Sequence, residues 1–282
     1  VQPAPTTSMT LLLSLSSILT GGCQSGYLDW ERKQLPGEPE RPAYLQAYVN
    51  AHYRDLGTHF SVRFSMDRFH EELLGARVLF LGDHHRDELL HDKMVALLHW
   101  LIEQGHKPVL GLEAIGFDDN ADLQEFLAGG IDLDELAGRA VGRWPGSWLT
   151  DQNSVDSSYF RALLNLAKEN GLAVFPLEPA PRLPLANRDS VIARSIRDAA
   201  HAYPGRLIVV VVGHAHLLGK GRLVARVGLP SLAIGARMSQ QLTTAYLDYP
   251  RAQKPCFLKT TSGILFFHPM TPKGLMRASG DN

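Results

Sequence analysis

Three observations predict an α/β fold: a mainly parallel sheet with helices on both faces, extended by short C-terminal strands. Apolar runs of strand length alternate with segments of helical period. The runs RVLFLGD, PVLGLEA and RLIVVVVG are apolar nearly throughout, as strands covered on both faces are. Histidines and carboxylates cluster directly after such runs, where open parallel sheets hold their ligands.

The elements follow in chain order. Met9 to Thr20, MTLLLSLSSILT, has the length of a signal-peptide apolar region and is shorter than the roughly 20 residues that cross a membrane. Small residues then precede Cys23, so residues 1–23 read as a signal peptide with a lipobox and Cys23 as the lipidation site. Residues 24–51 are polar and proline-rich (LPGEPERPAY) and read as a tether. A single domain is expected over 52–278. Ser65 is placed to cap a helix with Phe69, Leu73 and Leu74 on it, which leads into RVLFLGD. A helix from Asp87 to Gln104 carries Leu90, Met94, Leu97, Leu98 and Leu101 along one stripe, and Gly105 ends it. PVLGLEA is the next strand. Helices are expected at Asn120–Leu127, Leu133–Arg139 and Ser157–Asn170, then the strand AVFPLE, a helix over Arg188–Tyr203 and the strand RLIVVVVG. PSLAIGA, CFLKT and ILFFHP are short strand candidates at the sheet's edge, and Ser279–Asn282 reads as a frayed end.

Composition narrows the chemistry. A formal charge of −1 gives no reason to expect nucleic acid as a partner. Twelve histidines against two cysteines favour imidazole and carboxylate chemistry and exclude a zinc ribbon or a disulfide framework. Neither HExxH nor GxSxG occurs, so zincin and serine-hydrolase readings have no support.

Four strand ends bring candidates to one rim. The first delivers Gly82, Asp83, His84 and His85, the second Glu113, the third Glu178, and the fourth Gly213, His214 and His216. GDHH and GHAH share a GxxH shape, in which the glycine is expected to let the chain turn and the histidine to stand over the sheet. His91 lies beside the apolar stripe of its helix, and a packed histidine is as good a reading of it as a ligand.

The ordered segments VLFLGDHHRDELLH, GLEAIGFDDNADLQEFLAGG, RWPGSW, SSYFRALLNLAKENGLAVFPLE, NRDSVIARSI and VVVVGHAHLLGKG resemble the ChaN-like haem-binding uptake lipoproteins. That family is similar to the Tiki metalloproteases and erythromycin-esterase-like proteins, and the resemblance spans Ser65 to Ala236. It implies haem or iron handling at the cell envelope and a homodimer that pairs haems. It also implies a lipid anchor at Cys23, an outer-membrane, periplasm-facing location with which Gln24 is compatible, and a haem receptor or transporter as partner. Position by position, the family's GExH falls on Gly82, Asp83 and His85, with aspartate in place of the usual glutamate. Its LE falls on Leu112 and Glu113, its tryptophan-rich segment and tyrosine on Trp144, Trp148 and Tyr159, its RD on Arg188 and Asp189, and its late GxxH on Gly213 and His216.

Under the resemblance Tyr159 is the axial-ligand candidate, with Tyr27, Tyr44, Tyr48, Tyr53 and Tyr203 as others. Trp144, Trp148 and Phe160 are candidate walls for the porphyrin, His85, Arg143 and Arg161 candidate propionate partners, and His216 a further haem contact. The alternative is a hydrolase of the Tiki or erythromycin-esterase-like type. His85, Glu113 and His216 would hold a divalent metal there, and Asp83 or Glu178 would act as general base. A third reading is a tethered binding protein in which Asp83 marks a lost site.

Overall fold

The computed structural model describes residues 50, 54–85, 87–143, 147–150, 156–179, 185–218, 222–250, 254 and 256–268. The signal segment, Cys23, the tether apart from Asn50, Trp144, Tyr27, Tyr44, Tyr48, Tyr53 and the expected frayed end lie outside them. No helix among the described residues is long and apolar enough to cross a membrane.

The strands are β1 (Phe60–Ser65), β2 (Val78–Asp83), β3 (Val109–Gly116), β4 (Ala173–Glu178), β5 (Ile208–Gly213), β6 (Ser231–Ile234), β7 (Cys256–Thr260) and β8 (Leu265–His268). The helices are α1 (Met66–Gly75), α2 (Glu88–Glu103), α3 (Asn120–Leu127), α4 (Leu133–Arg143), α5 (Ser157–Glu169), α6 (Leu185–Ala202), α7 (Leu223–Val227) and α8 (Gln240–Asp248). Short 3-10 turns follow β3 at Phe117–Asp119 and β5 at His214–His216.

All eight strands form one mixed sheet in the order β1-β7-β8-β6-β2-β5-β3-β4. The five pairings from β8 through β6, β2, β5 and β3 to β4 are parallel, and β7 pairs antiparallel with both β8 and β1. The α/β class and the C-terminal edge extension therefore stand. Three elements are not anticipated by the sequence pattern: β1, whose residues FSVRFS alternate in burial at the sheet's edge, and the short helices α7 and α8.

The period of two explains the two-sided core. Leu79 and Leu81 of β2, with Val209 and Val211 of β5, face α1, α2 and α5, while Val78 and Phe80, with Ile208, Val210 and Val212, face α6, α7 and α8. Helix starts are capped as the sequence suggests: Ser65 accepts from the Arg68 N–H and Asp87 from the Leu90 N–H.

The glycine of the first GxxH serves close packing rather than a turn. Gly82 has no positive φ and sits inside β2; a Cβ there would lie 2.7 Å from Leu217 Cδ1 and 3.0 Å from the Ile234 carbonyl oxygen. Because a strand carbonyl cannot move aside, Gly82→Ala is expected to cost about 1–3 kcal/mol, read as a lower urea midpoint with an unchanged slope. A loss below a few tenths would show that β2 and β6 separate easily.

Candidate functional site

The strand order seats β5 between β2 and β3, so the ends of β2, β5, β3 and β4 form one continuous rim. In register, Asp83 lies beside Gly213, and Gly116 beside Glu178. The pairing of β3 with β4 shifts between Leu112 and Gly116, an irregularity that coincides with the carboxylate Glu113.

Two networks meet there. In the first, buried Asp83 lies between two imidazoles. One carboxylate oxygen pairs with His85 Nδ1, and the other is 2.6 Å from His91 Nε2. His91 Nδ1 is 2.9 Å from Asp156 Oδ2. With both ring nitrogens facing carboxylates, His91 is set up as a doubly donating imidazolium. Burial alone would lower its pKa, but Asp83 and Asp156 outweigh that and raise it. The same contest raises the pKa of His85, where burial is outweighed by Asp83 with help from Glu113. At Asp83 burial acts upward, yet the bonds to His85 and His91 leave the carboxyl below its ordinary value.

His91 also stacks on Tyr159, the ring planes 3° apart and the centroids 4.0 Å apart. The Tyr159 hydroxyl donates to Met94 Sδ at 3.3 Å, and the residue is only 2% exposed. Burial first, then the Asp83 and Asp156 charges, push its phenol well above the usual tyrosine pKa. The structure thus turns the axial-ligand candidate into the core as a neutral phenol. His85 differs: its side chain is 35% exposed and its ring lies 4.2 Å from Trp148, which in turn packs on Phe160 at 5.4 Å. The Asp156 N–H donates to the His85 carbonyl, so the start of α5 is tied to the end of β2.

In the second network Glu113 is fully engaged. Its Oε1 is 2.6 Å from Arg188 Nη2, and its Oε2 accepts from the Gly213 N–H at 2.7 Å. His216 Nδ1 pairs with Asp189, and its Nε2 lies 3.4 Å from Glu113 Oε1 and 3.3 Å from Arg188 Nη2. Arg188 Nε is 3.6 Å from Glu178 Oε2. All five side chains are buried. Burial pushes the Glu113 carboxyl up, but His216, Arg188 and the Gly213 N–H overcome it and hold the group below the usual carboxylate range. For His216 burial acts downward and is overcome by Glu113 and Asp189, bringing it to about 9.

The networks touch at Gly213. A Cβ built there would be 3.6 Å from Glu113 Oε2, 3.7 Å from His216 Cδ2 and 3.9 Å from His85 Cε1. The second GxxH glycine, also without a positive φ, is where the two histidines converge.

His85, Glu113 and His216 are therefore brought together as expected, but not as a metal set. Glu113 and His216 direct their donor atoms at the Arg188 guanidinium, a cation already in the place where an ion would sit. Among the described residues no group of three His, Cys, Asp or Glu side chains is arranged to hold a metal ion. Glu178 belongs to the same network through Arg188, so its placement is that of a buried counter-charge. Arg143 and Arg161 are placed away from this network by their own ion pairs, Arg143 with Asp119 and Asp122, Arg161 with Asp134. His84 and His214 neighbour each other with ring centroids 6.1 Å apart.

Asp156 is a member of the site that the sequence does not single out. Its only signal is position, an N-cap-type residue directly before the Ser157 start of α5, where it accepts from the Ser158 N–H at 3.1 Å.

The His216 pKa sets a pH dependence. A group raised from 6.5 to about 9 stabilises the fold fully below pH 6.5, and that contribution is lost as pH rises through about 9. His91, also raised, acts in the same direction. Urea midpoints are expected to fall between about pH 6.5 and 10 in wild type and to fall less in His216→Gln. Identical alkaline slopes in the two proteins would show that His216 is uncharged in the fold.

Residues 69–183 match the family model described as haem-binding uptake, Tiki superfamily, ChaN. No curated protein matches the chain in sequence. Among solved structures, the type III effector HopBA1 is 15% identical with a TM-score of 0.46, covering 75% of this chain and 97% of that one. ChaN of Campylobacter jejuni, a structure of cofacial haem binding, is 12% identical with a TM-score of 0.44, covering 72% and 92%. The C-terminal region of Pasteurella multocida toxin, described with a thiol-protease-like catalytic triad, is 15% identical with a TM-score of 0.43, covering 94% and 31%.

Proposed function

We propose, starting from the premise that residues 69–183 carry a domain of the haem-binding uptake family in the Tiki superfamily, that this protein binds haem at the rim beside His85. The observation that carries the reading is His85 itself, a partly exposed imidazole held from behind by Asp83 and flanked by the Trp148 ring. With its pKa raised, that imidazole is a cationic donor suited to a haem propionate, and the indole offers apolar area to the porphyrin edge. The donor set thus fits the anionic, amphipathic character of haem.

The buried Glu113–Arg188–His216–Asp189 network serves as the rigid floor of the site. Its charges are mutually paired, so it holds the ends of β3, β5 and α6 in one arrangement. In the same reading Cys23 carries the lipid that tethers the protein to the envelope, outer membrane and periplasmic side. A homodimer and a haem receptor or transporter follow from the resemblance.

The direct test is hemin titration of the protein lacking residues 1–23. A saturable shift of the Soret band is expected; a titration with no saturable shift overturns the reading.

One observation favours hydrolysis as a second reading. His85 and His216, each with a carboxylate on Nδ1, approach one point at Gly213 with Glu113 beside them. There the neutral form of His85, oriented by Asp83, would take a proton from the attacking water as general base and pass it to the departing alcohol. With Arg188 against Glu113 this reading routes nothing through the metal set expected from sequence. Turnover of aryl esters that survives in His85→Ala would exclude it.

A further inference from the structure

A second pair of histidines lies outside the rim. His70, in the middle of α1, and His106, just past the end of α2, have ring centroids 5.9 Å apart at an interplanar angle of 72°. Both residues are half-buried, and neither ring has a hydrogen bond or ion pair to another described residue. Beside them lies Trp100 in the last turn of α2, its ring 5.4 Å from that of His70.

We infer that His70 and His106 form a two-histidine site for a divalent transition-metal ion of the imidazole-preferring kind, copper(II) foremost, toward the end of the sheet where β2 and β3 begin. Several features converge on this. His106 is fixed in place, because its backbone N–H donates to the Leu101 carbonyl at 3.0 Å and Gly105 takes φ +85° to turn the chain. His70 comes from a different element, so the pair is created by tertiary packing and does not repeat the i, i+4 geometry of one helix. Two rings at this separation can each place a nitrogen at the about 2.0–2.1 Å of a metal–imidazole bond after rotation about the broad χ2 torsion. Among the described residues no carboxylate pairs with either ring. The negative end of the α2 dipole lies beside His106 and favours a cation there. Two imidazoles suit copper(II) above zinc(II) by the usual order of divalent affinities. Two ligands leave open coordination positions, so water or a small external ligand completes the sphere.

The site is independent of haem binding, and copper reports on it through Trp100. Copper(II) chloride is titrated into the full chain while tryptophan fluorescence is followed, with electron paramagnetic resonance of the frozen complex. The expected result is one saturable quench and hyperfine coupling to two imidazole nitrogens. Loss of a direct ligand costs at least as much as loss of an outer partner, so His70→Ala and His106→Ala should each weaken binding by roughly 10–100-fold. Trp100→Phe should remove the quench and keep the resonance signal. His70→Asn and His106→Asn serve as conservative second variants, far-UV circular dichroism checks the fold, and hemin binding should be unchanged in all of them. Wild-type copper affinity in the His70→Ala/His106→Ala double variant would overturn the assignment, because the ion would then reside elsewhere, such as the histidine-rich rim. So would the absence of any saturable quench.

Discussion

Arg188→Met lowers the unfolding free energy by about 3–5 kcal/mol, the cost of leaving a buried charge without its partner. The guanidinium lies 2.6 Å from Glu113 Oε1 and 3.6 Å from Glu178 Oε2, and all three side chains are at most 5% exposed. Without it Glu113 retains, among the described residues, the Gly213 N–H and His216, so its buried carboxyl must take up a proton or admit water. The check is urea unfolding followed by far-UV circular dichroism at about pH 7. A double variant, Arg188→Met with Glu113→Gln, should recover part of the loss, since the stranded charge is gone. A single-variant change under about 1 kcal/mol would mean that water reaches Glu113 and that the network is not dry. Arg188→Lys should not rescue fully, because a point ammonium cannot serve two carboxylates and His216 from one plane.

His85→Ala weakens hemin binding by about 1.5–3 kcal/mol, roughly 10–150-fold in Kd, whereas Tyr159→Phe leaves both the affinity and the shape of the Soret band unchanged. The contrast follows from orientation. The His85 ring is the exposed member of the Asp83 pair, and a charged hydrogen bond to a propionate would be lost with it. The Tyr159 hydroxyl spends its proton on Met94 Sδ inside the core, and its raised pKa keeps it from becoming a phenolate at neutral pH. Tyr159→Phe should instead cost about 0.5–1.5 kcal/mol of stability, the worth of one hydrogen bond. If the Soret band changes in Tyr159→Phe and not in His85→Ala, haem ligation by tyrosinate is the correct account and α5 must move on binding.

Much of the rim is legible in the amino-acid sequence. Continuous apolar runs reveal buried parallel strands, and polar residues directly after them have only one end of the sheet to occupy, so Asp83, His85, Glu113, Glu178 and His216 are identifiable as neighbours. Their partners are less legible. Arg188 and Asp189 emerge from the family's RD pair, with no indication that the arginine meets Glu113 from 75 positions away. Asp156 looks like an ordinary helix cap, and His91 like a surface or packing histidine, because what makes them important is each other. The unanticipated β1 has residues of mixed polarity and low contrast, and its strand character comes from pairing with β7 at the far end of the chain.

The sequence by itself determined the layered α/β architecture, the rim on which chemistry is possible and the histidines and carboxylates that reach it, because hydrophobic period and strand-end position are local properties. Only the tertiary structure decided which group faces which. It placed a guanidinium where a metal was expected, made His91 a link between two carboxylates, turned the Tyr159 phenol inward and left His85 facing out. Those outcomes depend on charge pairing and burial across elements distant in sequence. Side-chain identity specifies which groups can pair, and the packed fold selects which of them do.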